Sequence, residues 1–321
     1  MTDTSILPDG FWVRPAKIDD LEAVVRVQNA QELADFGQLL SDRESLKRLW
    51  QGHIFDLQAD TWVVGAPDGR IVSYASVRGP GRVRLFANVW LFPEYTGHGI
   101  GSYLLRCAEK RALSWVGEAP MGARVTMGAS WVGERNQRAQ HLLECAGYEK
   151  IYSFAHMELE LDRPSVSPPS DESIIIREFC SGDDEQAVYV ADEESARDEQ
   201  GHVPQTFEVW RQWHLSDTTL LFVAWDGSEA AGLVRGEAMG EQGWIWHLGV
   251  RPRWRRRGLG ISLLQYIQRE FARRGLRAMK LNVDMFSLTG AFRLYERAGM
   301  RTSFHYHTFE KELRAGQDTR V

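Results

Sequence analysis

The sequence predicts an α/β fold built on a mixed, α+β-type sheet and present twice in tandem. Four observations carry that expectation. The chain has 321 residues, and at roughly 100–200 residues per domain that length suggests two domains. A glycine-bearing stretch occurs twice with the same proline spacing, VWLFPEYTGHGIGSYLL at 89–105 and LGVRPRWRRRGLGISLL at 248–264. A later pair agrees as well, LLECAGY at 142–148 with LYERAGM at 294–300. The starts also match, WVRP at 12–15 with IIRE at 175–178. Matching Arg14 to Arg177, Gly99 to Gly258 and Gly147 to Gly299 gives an offset that shrinks along the chain. Two copies of one fold with different loop lengths produce that drift. The copies are expected at 1–161 and 174–321. Residues 162–173, rich in proline and serine without apolar periodicity, read as a linker.

The elements of the second copy follow in order. Residues 174–178 are β-branched and strand-like. Asp183 and Asp184 precede an apolar-periodic run, and acidic residues favour a helix start. Residues 220–225 form a continuous apolar strand ended by Asp226-Gly227, a hairpin signal. Residues 230–236 return, and 244–250 make the third strand of a meander. Residues 258–274 form a helix with Ile261, Leu264, Ile267 and Phe271 on one face. A strand at 278–283, a helix at 290–298 stopped by Gly299, and a strand at 304–313 complete the copy. The first copy repeats the order, with 61–65, 71–77 and 84–91 as its meander. A meander followed by alternating helix and strand makes the sheet mixed.

Composition narrows the function classes. The net charge of −6 argues against a general nucleic-acid role, which needs a basic face. No stretch approaches the ~18 apolar residues of a membrane span, and residues 1–10 lack the basic and apolar regions of a secretory signal. Cys107, Cys145 and Cys180 form no CxxC pair, so neither a disulfide framework nor a zinc site is expected. The expectation is a cytoplasmic protein without metal, nucleic-acid or membrane partners.

The stretch from Val250 to Gly260 carries the chemistry. A strand ends, a turn follows, and a helix begins. N–H groups at a helix start are unsatisfied donors, and the helix dipole adds partial positive charge. Glycines there let a ligand approach the backbone. The result is a pyrophosphate site made of Gly258, Leu259 and Gly260, with Arg255, Arg256 and Arg257 as countercharge. No GxxxxGK[ST] follows, so it is not a P-loop.

At this point the pattern resembles the GNAT acetyltransferase superfamily. Arg255-x-x-Gly258-x-Gly260 after a strand ending in Val250-x-Pro252 is similar to that family's acyl-coenzyme A motif. AFRLYERAG at 291–299 is similar to its later helix. The resemblance covers essentially the full length, once per copy. It implies a mixed sheet splayed at the middle, with acetyl-coenzyme A as cosubstrate in the gap. It implies N–H contacts from Leu248, Gly249 and Val250 and a general acid at Tyr295. Ser287 stands where the family often has asparagine. A base often lies on the motif strand, where His247 is the one titratable side chain between 244 and 250. Its ordinary pKa suits that role.

The first copy departs at two places. Leu143 aligns with Tyr295 and cannot donate a proton, and Thr96 replaces Arg255. Gly97, Gly99 and Gly101 persist as vestigial phosphate contacts. The second copy is therefore expected to work and the first to be degenerate. Trp244 and Trp246 are expected in the core. The acidic run 192–199 is expected to be a solvated helix face, the other reading being attraction of a cationic amine. The leading expectation is acetyl transfer to a primary amine of a small molecule. The alternatives are protein N-acetylation and an acyl-coenzyme A sensor without turnover.

Overall fold

A computed structural model describes residues 7–52, 56–161, 173–199, 202, 204–216 and 218–318. The expected linker lies, apart from Ser173, outside the described residues. The first repeat contains β1 (Trp12–Arg14), α1 (Leu21–Phe36), α2 (Arg43–Gln51), α3 (Leu57–Asp60), β2 (Thr61–Gly65), β3 (Ile71–Arg78), β4 (Arg84–Leu91), α4 (Ile100–Trp115), β5 (Val125–Gly133), α5 (Gln137–Cys145) and β6 (Glu149–Glu160). The second contains β7 (Ile174–Glu178), α6 (Glu185–Ala196), α7 (Phe207–His214), β8 (Thr219–Asp226), β9 (Glu229–Met239), β10 (Gln242–Val250), α8 (Leu259–Arg273), β11 (Ala278–Asp284), α9 (Ala291–Arg297) and β12 (Arg301–Arg314). Helix α7 was not expected. Its Thr206 cap, which accepts from the Val209 N–H, sits in a short segment where periodicity has little length to show itself.

The chain forms two compact units, and they are not the two stretches of sequence. One is Met1–Ser153 with Phe304–Val321, and the other is Phe154–Ser303. In the first unit the strands run β1-β2-β3-β4-β5-β12. In the second they run β6-β11-β10-β9-β8-β7. The last strand of each repeat thus completes the sheet of the other. β12 pairs antiparallel with β5, from Tyr306 opposite Gly133 to Arg314 opposite Val125. β6 pairs antiparallel with β11, from Phe154 opposite Asp284 to Glu160 opposite Ala278. Each brings core side chains with it: Phe309 is fully buried in the first unit, and Ala155 and Met157 in the second.

Side-chain chemistry repeats along with the backbone. Arg14 grips Asp20 with two hydrogen bonds of 2.6 and 2.7 Å, and Arg177 grips Asp184 with two of 2.6 and 2.8 Å. Each bidentate pair ties a first strand to the start of a first helix.

In the second unit both sheet faces are covered. Leu220, Phe222 and Ala224 of β8 face the core under α8, with Leu263, Ile267 and Phe271. Leu221, Val223 and Trp225 face the core under α6 and α7, with Val188 and Trp210. A strand covered on both faces reads as an unbroken apolar run, which is how 220–225 reads.

Candidate active site in the second unit

Strand β10 pairs with β11 in parallel only from Gln242–Ile245 to Ala278–Leu281, and past Ile245 the two part. A bulge at Trp246 shifts the register against β9, so that Ile245 faces Gly236 and His247 faces Arg235. The Arg251 N–H donates to the Ala231 carbonyl at 3.0 Å. Antiparallel hydrogen bonds alternate along a strand. The N–H groups of Leu248 and Val250 therefore point away from β9, into the gap. Buried backbone donors need partners, and no described residue supplies one to either.

The gap leads to the start of α8. Arg256 and Gly258 both take the left-handed conformation, with φ 64° and 80°. Ser262 is the first residue whose N–H bonds back into the turn, to the Gly258 carbonyl at 3.1 Å. The N–H groups of Leu259, Gly260 and Ile261 make no hydrogen bond to a described residue. A Cβ on Gly260 would lie 2.8 Å from Leu294 Cδ1, so glycine is what lets α9 pack against this helix start. These free donors suit a pyrophosphate.

The arginines divide their work. Arg255 Nε donates to the Val250 carbonyl at 2.9 Å and Nη2 to the Ser195 carbonyl at 3.1 Å, while Nη1 pairs with Asp198. Its side chain is thus used to clamp the end of α6 onto the strand exit, whereas Arg256 and Arg257 are exposed.

On the sheet face covered by α6 lies a buried polar cluster. His247 Nε2 is 3.0 Å from Asp192 Oδ1. Trp210 Nε1 donates to Asp192 Oδ2 at 2.6 Å, and Arg235 Nη1 reaches the same oxygen at 3.5 Å. Ser195 Oγ stands 3.4 Å from His247 Nε2. A Cβ on Gly249 would lie 2.1 Å from Ser195 Oγ and 2.6 Å from His247 Nε2, so the cluster requires a glycine there. Burial works against a charged His247, but the Asp192 carboxylate outweighs it and pushes the imidazole up from its ordinary value. Burial alone would raise Asp192; the His247 and Arg235 charges and the hydrogen bonds hold it well below the usual carboxylate range. Burial, then the Arg235 charge, pushes nearby His214 down to about 4.

Tyr295, on α9, is buried. Burial first, and then the charge of Glu199, push its phenol up, so it keeps its proton. The Glu199 charge also acts on His247, so one exposed carboxylate bears electrostatically on both predicted catalytic side chains. Ser287 sits in the turn after β11, its hydroxyl 2.9 Å from that of Thr289.

Two expectations are corrected here. The run 192–199 is not simply a solvated face: Asp192 and Ser195 are buried, and Glu194 and Asp198 pair with Arg251 and Arg255. Trp246 is not core but 52% exposed, stacked on Trp244 at 5.5 Å. Sequence reasoning missed Asp192, Ser195, Trp210 and Arg235 because they meet His247 only across the fold. The spacing of Asp192 and Ser195, three apart on one helix face, was the available signal.

The first unit has the same splay, since β4 pairs with β5 only from Arg84–Phe86 to Thr126–Gly128. Its turn is also left-handed at Gly97 and Gly99, with φ 93° and 80°. Its gap differs. The Leu91 N–H, equivalent to that of Val250, donates to Gln31 Oε1 at 2.7 Å. Trp90 stands where the second copy has Gly249, and Asn88 where it has His247. Leu143 is buried at the Tyr295 position. Asn136 caps α5 and donates to Asp35 at 3.0 Å.

The second unit thus combines a splayed mixed sheet, open strand donors and a glycine-bearing helix start. The chain belongs to the acetyltransferase (GNAT) family, whose model matches residues 25–148 and 186–300, once in each repeat. It is similar to mycothiol acetyltransferase of Nocardiopsis dassonvillei, 28% identical over 89% of this chain and 92% of that one. The mycothiol acetyltransferase of Streptomyces scabiei is also 28% identical, over 73% of this chain and 71% of that one. Among solved structures, a GCN5-related N-acetyltransferase from Sphaerobacter thermophilus superposes with TM-score 0.85 at 35% identity, covering 98% and 99% of the two chains. A tandem GNAT protein from the clavulanic acid pathway shares the fold, with TM-score 0.67 at 15% identity over 96% and 100%. Among the described residues, no group of three or more His, Cys, Asp or Glu is placed to hold a metal, and no helix is long and apolar enough to cross a membrane.

Proposed function

We propose that the second unit transfers an acetyl group from acetyl-coenzyme A to a primary amine of a small molecule, by direct attack. The observation that carries this is the pair of unpartnered N–H groups on Leu248 and Val250, in a gap that runs to the free helix start at Leu259–Ile261. The site's residues fit that cosubstrate. When bound, acetyl-coenzyme A supplies an activated thioester. The helix-start donors, Arg256 and Arg257 hold phosphate oxygens. The Leu248 and Val250 N–H groups orient amide and acyl oxygens, and a donor so placed stabilises developing oxyanion charge. His247 removes a proton from the amine. Tyr295, still protonated, delivers one to the departing sulfur.

The first unit performs no transfer in this reading. Gln31 occupies its strand donor, Trp90 fills the place of Gly249, and Leu143 offers no proton. The name of the curated relatives adds a mycothiol-type acceptor to the candidates. The deciding assay follows thiol release from acetyl-coenzyme A against a panel of small amines, lysine peptides and a mycothiol precursor. Turnover with a small amine supports the reading. Turnover with peptides alone points instead to protein N-acetylation, and tight binding without turnover to a sensor.

A further inference from the structure

His247 has two ring nitrogens, and the hydrogen bonds around it decide which carries the proton. Nε2 lies 3.0 Å from the Asp192 carboxylate and 3.4 Å from Ser195 Oγ. The Ser195 hydroxyl already donates its one hydrogen to the Asp192 carbonyl at 2.9 Å. A hydroxyl has a single donor, so Ser195 can only accept from Nε2. Both neighbours of Nε2 are therefore acceptors, and Nε2 is the nitrogen that bears the hydrogen. No described residue engages Nδ1.

We propose that Asp192 is a positioning residue that holds His247 as the Nε2–H tautomer and so makes Nδ1 the atom that takes the amine proton. This rests on the acetyltransferase reading above. In the step, the amine N–H bond breaks and its proton passes to Nδ1, the nitrogen lone pair forms the bond to the acetyl carbon, and the carbon–sulfur bond breaks, the sulfur leaving as a thiol with the Tyr295 proton. The imidazolium so formed faces Asp192. The Asp192 carboxylate is itself held, because Trp210 Nε1 donates to Oδ2 at 2.6 Å and leaves Oδ1 to His247. Trp210 is buried at 1% exposure, so the anchor is rigid. Base, orienting carboxylate and a second donor fixing the carboxylate are the parts of a triad-like arrangement. The other charged or titratable groups facing His247 are Arg235 on β9, His214 on α7 and Glu199 after α6.

The test is imidazole NMR on the full-length protein labelled with 15N-histidine, the His247 signal being identified by its loss in His247→Asn. The parent is expected to show the Nε2–H tautomer at pH values where His247 is neutral. Asp192→Asn is expected to scramble the tautomer and to weaken His247 proton binding about tenfold or more, one pKa unit. A parent in the Nδ1–H form overturns the proposal without any variant. So does a folded Asp192→Asn protein whose His247 keeps the parent tautomer and titration. These signals do not depend on any acceptor. A failed amine panel would remove the transfer reading while the tautomer remained measurable.

Discussion

Tyr295 and Leu143 occupy equivalent, buried places on α9 and α5, so packing does not separate the copies and the hydroxyl does. Tyr295→Phe keeps the ring and removes the proton. We expect kcat to fall by ~10²–10⁴, with acetyl-coenzyme A affinity from calorimetry nearly unchanged; an equally fast mutant with rate-limiting chemistry rejects the acid role. The buried cluster also sets a pH dependence of stability. His247 has a raised folded pKa, so its contribution is fully present below its unfolded value of ~6.5 and is lost as pH rises through the folded value. Asp192 has a lowered one, so its contribution holds above ~3.9 and is lost as pH falls through the folded value. His214 runs the other way. With a folded pKa of about 4, it binds fewer protons folded than unfolded between that value and ~6.5, so stability rises with pH across that window. Urea midpoints should climb less steeply over the window in His214→Asn than in the parent. Parallel curves would show that His214 is not buried as a neutral group. At this scale Tyr295 and His247 could be singled out as candidates from neighbouring sequence. Asp192 is not, because its meaning depends on which side chain lies across from it.

The element that distinguishes the two gaps is the last strand of the meander. β10 carries a bulge at Trp246 and leaves the Val250 donor open, whereas β4 pairs with β3 without a register shift and has Gln31 on the Leu91 donor. Acetyl-coenzyme A should therefore bind in calorimetry with one site per chain. Gly258→Leu should abolish that site, since a side chain would crowd the phosphate position and the left-handed backbone costs ~1–2 kcal/mol. Two sites in the parent, or unchanged affinity in Gly258→Leu, would reject the assignment. The turn and helix start were legible because glycine spacing reports backbone conformation directly. Arg256 was not legible in this respect, since nothing in its residue type signals φ 64°.

At the scale of the molecule, the exchanged last strands make each unit depend on the other half of the chain. Pieces 1–161 and 174–321 should not fold properly apart. The first would leave the β5 edge without β12 and its buried Phe309. The second would leave β11 without β6 and its buried Met157. Losing a buried side chain of that size costs ~2–5 kcal/mol, and an uncovered edge invites aggregation. Each piece alone should melt well below the intact chain or aggregate, and mixing should recover its melting temperature. A separate 174–321 piece as stable as the parent would show that the exchange is not the solution structure. The duplication, the order of the strands, the splay motif and the family could be read from sequence alone, because periodicity, glycine and proline spacing act locally along the chain. Which repeat each last strand completes, which backbone donors stay open, and which carboxylate meets His247 were decided only by tertiary structure. Those are pairings between residues far apart in sequence, and no local pattern encodes a partner.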